Sequence, residues 1–333
     1  MKPARMASLG YELATPVDDA ELADVLGCTA AEVERMGRGR LRTFAPDGVG
    51  PSHLAAGAAR KALAAAGREA GDVDFFIFST NTPDFTFPGS ACLLQAEIGA
   101  RTVGCLDVRS VCTGFLVALD LARRYVATDT YRRVLVAAAE VPSHQNRFDG
   151  VAPELTCLTA DAGTAVLVEG GAAPVSLLAC RARTDGRLYR QLWCEFPASR
   201  HMRGPTVKRG ERLTREAIEE GRIYPTADFD ALRATALEKI PAILDEVLSE
   251  AGIQTVDAAI VAHVDPDTEA AVAERLGGRV GRVIESSQLY CYSSTLPLAL
   301  ARSVEIGSIG AGETVALVTA GGSASWGAAL VRT

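Results

Sequence analysis

Four short runs of this chain hold the residue types from which a covalent catalyst is built. The first is Asp107-Val-Arg-Ser-Val-Cys112-Thr-Gly114-Phe115, a Gly-bounded turn feeding the apolar run Phe115-Leu-Val-Ala-Leu-Asp-Leu-Ala122. Such a turn puts a thiol at a helix N-terminus, where unpaired backbone N–H groups and the helix dipole favour the thiolate. A thiolate held there is a ready nucleophile. The second run is Ala262-His263, an imidazole closing an apolar strand pattern. The third is Gly321-Gly322-Ser323-Ala324-Ser325-Trp326-Gly327, directly after another strand pattern. The fourth is the loop Thr82-Pro83-Asp84-Phe85-Thr86-Phe87-Pro88-Gly89-Ser90-Ala91-Cys92, leading into a helix. Each has an ordinary reading by itself: a small core thiol, a satisfied interior histidine, a turn. In this order and spacing they form a specific set.

Groups so far apart need a scaffold that gathers them. Helical and strand patterns alternate from end to end. Residues 53–67 read as an Ala-rich helix closed by Gly67, and Val73-Asp-Phe-Phe-Ile-Phe-Ser79 follows as a buried strand. Residues 115–127 read as a helix, with strands at 133–139 and 165–169. This alternation predicts an α/β protein with mostly parallel central strands. The second half repeats the first. Ala251-Gly252 precedes Val256-Asp as Ala66-Gly67 precedes Val73-Asp, and the Val-Asp pairs stand 183 residues apart (256 minus 73). Late strands at 313–319 and 328–331 complete the echo. The chain reads as a duplication with its seam near Gly170-Gly171. Residues 1–171 carry Cys112, and residues 172–333 carry His263 and the Gly-Gly turn. Residues 184–228 are charged and irregular, and read as a solvated helix and loop.

Composition removes several classes. With 333 residues, 48% of them hydrophobic, the chain can bury a large core. A net charge of −7 argues against a nucleic-acid binder. The eight cysteines (28, 92, 105, 112, 157, 180, 194 and 291) are scattered without a CxxC pair, which suits a reducing compartment and neither a zinc site nor a disulfide framework. No basic-then-apolar leader opens the chain, and no apolar run nears the ~20 residues that span a bilayer. The expectation is a cytoplasmic protein off the membrane.

The set resembles the thiolase-fold condensing enzymes, most closely ketoacyl-acyl-carrier-protein synthase III. The matching pieces are Thr80–Gly99, Asp107–Phe115, Thr159-Ala-Asp161-Ala-Gly163-Thr-Ala165, His263, Leu296-Pro297-Leu298 and Gly321–Gly327. The resemblance implies two βαβαβαββ halves in a five-layered αβαβα sandwich, normally as a homodimer. It implies that Cys112 attacks an acyl thioester and carries the acyl group, with His263 as donor and acid/base partner. The N–H groups of Cys112 and Gly322 would form the oxyanion hole. Phe87 would reach into the partner's acyl pocket, which Leu158, Trp193 and Phe196 would help line. The resemblance further implies no permanently bound cofactor, with acyl-CoA or a phosphopantetheinyl acyl carrier protein as substrate.

The pattern is broken in places. The family's asparagine, seven positions before the proline of the Leu-Pro-Leu element, falls at Tyr290. In the family that asparagine and the histidine hold a malonyl thioester's carbonyl while CO₂ leaves. The family's coenzyme A-stacking Trp falls at Ala31, and an Arg two residues beyond its His-Gln-Ala-Asn falls at Thr268. Arg35, Arg40 and Arg42 remain as phosphate or carrier contacts. Asp265, two residues after His263, is a candidate to orient the imidazole. The leading expectation is therefore an acyltransferase of polyketide-type metabolism, passing an acyl group from Cys112 to an oxygen, nitrogen or sulfur nucleophile with His263 as general base. The alternatives are a decarboxylative 3-oxoacyl-acyl-carrier-protein synthase III and a non-catalytic subunit of a thiolase-fold heterodimer.

Overall fold

Alternating apolar strands and Ala/Leu-rich helices fold into stacked layers, seen in a computed structural model that describes residues 2–171, 175–195, 215–284, 288–322 and 324–333. The first half holds β1 (Ala4–Leu13), β2 (Thr15–Val17), α1 (Asp19–Leu26), α2 (Ala30–Gly37), β3 (Arg42–Phe44), α3 (Pro51–Ala65), β4 (Phe75–Ser79) and α4 (Ser90–Glu97). It continues with β5 (Gly104–Val108), α5 (Gly114–Ala127), β6 (Arg133–Glu140), α6 (Glu154–Leu158) and β7 (Ala162–Gly170). Then come β8 (Val175–Thr184), β9 (Leu192–Trp193), α7 (Arg215–Glu219), β10 (Thr226–Ala227), α8 (Phe229–Ala251) and β11 (Val256–Ala262). The chain closes with α9 (Pro266–Leu276), β12 (Val280–Ile284), α10 (Thr295–Glu305), β13 (Thr314–Gly321) and β14 (Ser325–Arg332).

Strand order exposes the repeat. One run is β5-β4-β6-β7-β1 and the other β12-β11-β13-β14-β8, joined edge to edge where Arg5 and Met6 pair with Ser176 and Val175. In both runs the first three strands are parallel and the last two are added antiparallel. The expectation of mostly parallel strands is thus corrected to an even mixture. The link between β13 and β14 is only residues 322–324, and a connection that short can only return antiparallel.

Side-chain alternation along each strand feeds two faces. Phe76, Phe78, Leu135 and Leu167 face α3 and α4, while Ile77, Val134, Val136 and Val166 face α5. α5 and α10 share one core with both runs of strands, and α8 and α9 cover the outer face of the second run. The layers are therefore helix, sheet, helix, sheet, helix, which is the thiolase-like arrangement. The small residues of α3 (Ala55, Ala58, Ala59 and Ala62) are fully buried and let it lie close on β1 and β7.

The same short motif opens both central helices. Val111–Thr113 forms a single 3₁₀ turn before α5, and Tyr292–Ser294 forms one before α10. Each begins on a non-glycine residue with positive φ, +41° at Val111 and +43° at Tyr292. Among the described residues no helix is long and apolar enough to cross a membrane.

Candidate active site

Cys112 reaches the site on the first of these turns. Its neighbour Val111 is β-branched and left-handed, a conformation that costs about 1–3 kcal/mol and survives only under external support. The support is visible. The Val111 N–H donates to Asn81 Oδ1 at 3.2 Å. Asn81 is held by Glu140, to which it donates its main-chain N–H at 2.9 Å and its Nδ2 at 3.1 Å. On the other side Thr113 Oγ1 donates to Ser325 Oγ at 2.9 Å, and Ser325 donates to the Gly322 carbonyl at 3.0 Å. The Gly-Gly turn presses against the thiol. A Cβ on Gly321 would lie 2.3 Å from Cys112 Sγ, and one on Gly322 would lie 2.8 Å from Val111 Cγ1. Only glycine admits that approach.

The sulfur sits 2.9 Å from the Tyr290 hydroxyl. The N–H groups of Gly322 and of Cys112 itself also point at it. Nevertheless burial pushes the thiol's pKa up to about 11, outweighing these three donors. The expected helix-start lowering of the Cys112 pKa is corrected: α5 begins two residues on, and the desolvation of a side chain 1% exposed dominates. Tyr290 is fully buried, and burial raises its pKa well above the usual phenol value, so it keeps its proton. The expected oxyanion pair, Cys112 and Gly322, thus converges on the sulfur together with Tyr290.

His263 follows β11 and is fully buried. Asp265 N–H donates to its Nδ1 at 3.1 Å, while the Asp265 carbonyl stands farther off at 3.4 Å. An amide nitrogen cannot accept, so a proton on Nδ1 would face another proton. This pattern assigns the imidazole proton to Nε2. Nε2 has no hydrogen-bond partner among the described residues. Burial lowers the His263 pKa to about 4, partly offset by the nearby Asp265 carboxylate. The group is a neutral ring presenting an unmet N–H.

Asp265 was expected to orient the imidazole through its carboxylate. The contact runs through its main chain instead. Its carboxylate accepts from Asp267 N–H, Thr268 N–H and the Thr268 hydroxyl, and pairs with Arg38, which makes it the N-cap of α9. Burial works against the charge, but the Thr268 hydroxyl and Arg38 hold its pKa below the usual carboxylate value. Arg40 and Arg42, expected as phosphate or carrier contacts, are also corrected. Both are buried. Arg40 donates to the His263 carbonyl, and Arg42 donates to the Arg40 and Cys157 carbonyls and pairs with Asp19. Arg35 lies exposed on α2.

Of the expected acyl-pocket residues, Leu158 packs beside Cys112 and Tyr290. Trp193 stacks edge-on with Tyr189 on the β9–β10 ribbon. Phe87 is 81% exposed on its loop, and Phe196 lies outside the described residues. Sequence reasoning missed Leu155, Leu192, Leu232 and Tyr292, which share one buried apolar cluster with Cys112 and Leu158. It also missed Glu140, a fully buried carboxylate that closes the apolar run of β6 and accepts from Ser293 Oγ at 2.6 Å. A charge ending an otherwise buried strand was the available signal.

The His263 titration yields a stability prediction. Its pKa falls from 6.5 to about 4 on folding. Between these values the unfolded chain binds the proton and the folded chain does not. Stability should therefore drop as pH falls through that window, by about 3 kcal/mol from this group. Urea denaturation near neutral pH and near pH 4, on wild type and His263→Gln, measures it. Wild type should lose about 3 kcal/mol more than the variant, and equal losses would refute the assignment.

Among the described residues no cluster of three or more His, Cys, Asp or Glu side chains is placed to hold a metal ion. The chain matches the family model described as 3-oxoacyl-[acyl-carrier-protein] synthase III over residues 106–186, and the C-terminal model of that enzyme over residues 240–333. It is similar to the β-ketoacyl-[acyl-carrier-protein] synthase III of Synechococcus elongatus, with 34% identity over 303 residues, 90% of this chain and 87% of that protein. Its fold is similar to the solved 3-oxoacyl-[acyl-carrier-protein] synthase III of Aquifex aeolicus, with TM-score 0.82 and 23% identity over 99% of this chain and 100% of that one. It is equally similar to a tetronic acid condensing enzyme, with TM-score 0.82 and 21% identity over 99% of this chain and 100% of that one.

Proposed function

The chain belongs to the 3-oxoacyl-[acyl-carrier-protein] synthase III family of thiolase-fold condensing enzymes, and from that premise we propose that it joins two acyl groups by decarboxylative condensation. The observation that carries this reading is the Asp265 N–H donating to His263 Nδ1 at 3.1 Å, which assigns the ring proton to Nε2. A ring with its proton on Nε2 and its Nδ1 engaged by a backbone N–H is built to donate, not to take a proton from an attacking alcohol or amine. The leading sequence expectation, transfer to oxygen, nitrogen or sulfur with His263 as base, rested on the missing asparagine. The related synthases and this tautomer both favour the decarboxylative alternative.

In this reading the Cys112 sulfur attacks the carbonyl of an acyl-CoA or acyl-carrier thioester. The donor's thiol leaves with the Cys112 proton. A malonyl thioester then loses CO₂, and the electron pair of the broken carbon–carboxylate bond moves onto its carbonyl oxygen. His263 Nε2–H and the Tyr290 hydroxyl hold that oxygen. Once Cys112 is acylated its sulfur is a poor acceptor, which frees the hydroxyl for this second task. The enolate carbon attacks the acyl-cysteine, and the oxygen of the tetrahedral intermediate is held by the N–H groups of Cys112 and Gly322. Collapse releases a 3-oxoacyl thioester and the cysteine thiolate. The proposal includes a homodimer, supported by Phe85 and Phe87, which are 58% and 81% exposed on one loop. It also includes the division into halves at residues 171 and 172.

Tyr290→Phe tests the second donor with little change of shape. Carbon dioxide release should fall about 10- to 100-fold, while stability falls by only about 1 kcal/mol for the lost hydrogen bond. The whole reading is tested by incubating the protein with malonyl carrier protein and a panel of acyl-CoA primers. CO₂ evolved in step with a 3-oxoacyl product is the expected result. An acyl group handed to a hydroxyl, amine or thiol without CO₂ would sink it, and the absence of any adduct on Cys112 would favour a non-catalytic subunit.

A further inference from the structure

The corrected placement of Arg40 leaves a buried charge beside the site with no part yet assigned to it. His263 lies one residue beyond β11, so its peptide groups leave the strand ladder and need other partners. A single ion pair supplies them. Glu269 Oε1 accepts the His263 N–H at 2.8 Å, and Arg40 Nη2 donates to the His263 carbonyl at 2.6 Å. The same Arg40 nitrogen lies 2.9 Å from the same Glu269 oxygen. Three contacts therefore close a ring through the peptide groups that carry the imidazole. The guanidinium also lies over the Tyr290 ring, 5.6 Å from its centroid. One side chain touches the supports of both donors.

We propose that Arg40 and Glu269 are positioning residues whose ion pair locks the His263 peptide and the Tyr290 ring into one frame, so that Nε2–H and the phenol hydroxyl meet on a single substrate oxygen. The inference rests on the condensing reading.

The elements around the pair agree. Leu41 N–H donates to the Gln288 carbonyl at 2.8 Å, docking the Arg40 segment beside the stretch that carries Tyr290. Glu269 stands in the first turn of α9, where the helix dipole favours a carboxylate. The side chains are only 4% and 15% exposed. Buried ion pairs add little net stability compared with apolar residues of similar size, so fold stability alone is a weak reason for this one. The charge has a local effect as well. It joins burial in disfavouring the imidazolium, and it acidifies the Tyr290 phenol against the larger opposite effect of burial. Both changes suit groups that must donate.

The test separates two half-reactions in Arg40→Met, Arg40→Lys, Glu269→Gln and the Met/Gln double variant. Acyl loading of Cys112 is followed by intact mass, and decarboxylation by CO₂ released from malonyl carrier protein. CO₂ release should fall at least about tenfold further than loading in each single variant. The double variant should be no worse than the weaker single within about threefold, because both changes break one frame. Arg40→Lys should not restore it, since an ammonium cannot span the carbonyl, the carboxylate and the ring face together. Glu269→Gln keeps the shape of the site and reads out the inference if Arg40→Met folds poorly. Loading and CO₂ release falling in parallel with melting temperature would reduce the pair to a structural prop and overturn the inference. So would single variants that release CO₂ like wild type. A wild-type protein that loads Cys112 but releases no CO₂ overturns the condensing reading itself and this inference with it.

Discussion

Replacing Cys112 with alanine is expected to end turnover, with loss on the order of 10⁴-fold or more, as for removal of a covalent nucleophile elsewhere. Cys112 has a phenol hydroxyl at 2.9 Å from its sulfur and two backbone N–H groups aimed at it. The donors left behind can still polarise a bound thioester, but no acyl group can then be stored. Intact mass makes the test direct. Wild type should gain one acyl mass from a thioester donor, and Cys112→Ala should gain none. Serine should not rescue. Its hydroxyl loses a proton far less readily than a thiol, and the burial that lifts the thiol to about 11 would penalise an alkoxide even more. The thiol is mostly protonated near neutrality, so its loading rate should climb with pH. A rate already level at neutral pH would show that substrate binding lowers this pKa.

The second large effect is expected at His263. His263→Ala should slow CO₂ release about 10²- to 10³-fold, the usual consequence of deleting one donor from a developing oxyanion. Acyl loading should suffer much less, because the groups that meet the sulfur among the described residues are the Tyr290 hydroxyl, the Gly322 N–H and its own N–H. Two further variants separate donation from proton abstraction. Asparagine and glutamine present an N–H but cannot take up a proton. If His263 donates, one of them should recover at least about tenfold over alanine. If it acts as a base, both should be as inactive as alanine. The fully buried ring means that alanine also opens a cavity, so melting temperature is measured beside activity.

Much of this was legible in the sequence, and the exceptions are instructive. The alternation of elements and the repeat of Val73-Asp at Val256-Asp anticipated two runs of strands in one order. Cys112 and the Gly-Gly turn stood out as motifs, Tyr290 was reached through the family resemblance, and all three meet at one sulfur. The arginines misled because a charge in a sequence reads as surface. Arg40 and Arg42 are interior because Glu269, Asp19 and three carbonyls meet them there, and all of these partners but the Arg40 carbonyl come from other segments of the chain. Asp265 misled differently. Asp-Pro-Asp-Thr is a helix start with its N-cap and a proline at the first position, so the carboxylate's true task was written locally. Strand direction failed because periodicity marks a strand without saying which way it runs. The pKa of Cys112 failed because a helix start is visible in sequence, whereas the depth of burial is not.

The twin turns before α5 and α10 show one local design put to two uses. Ser293 holds in the second turn the place that Cys112 holds in the first, and Thr80 follows β4 as His263 follows β11. Glu140 ends β6 as Gly321 ends β13. Where one end offers a sulfur and an unmet imidazole proton, the other closes on a carboxylate: Glu140 accepts from Ser293 and Asn81, with Thr82 at 3.2 Å and Thr80 at 3.4 Å. The silent end buttresses the reactive one, since Asn81 reaches from it to the main chain of Val111. Drift is thereby constrained unequally. Changes in the living end should be felt as lost turnover, and changes in its quiet sibling as a nucleophile that no longer holds still.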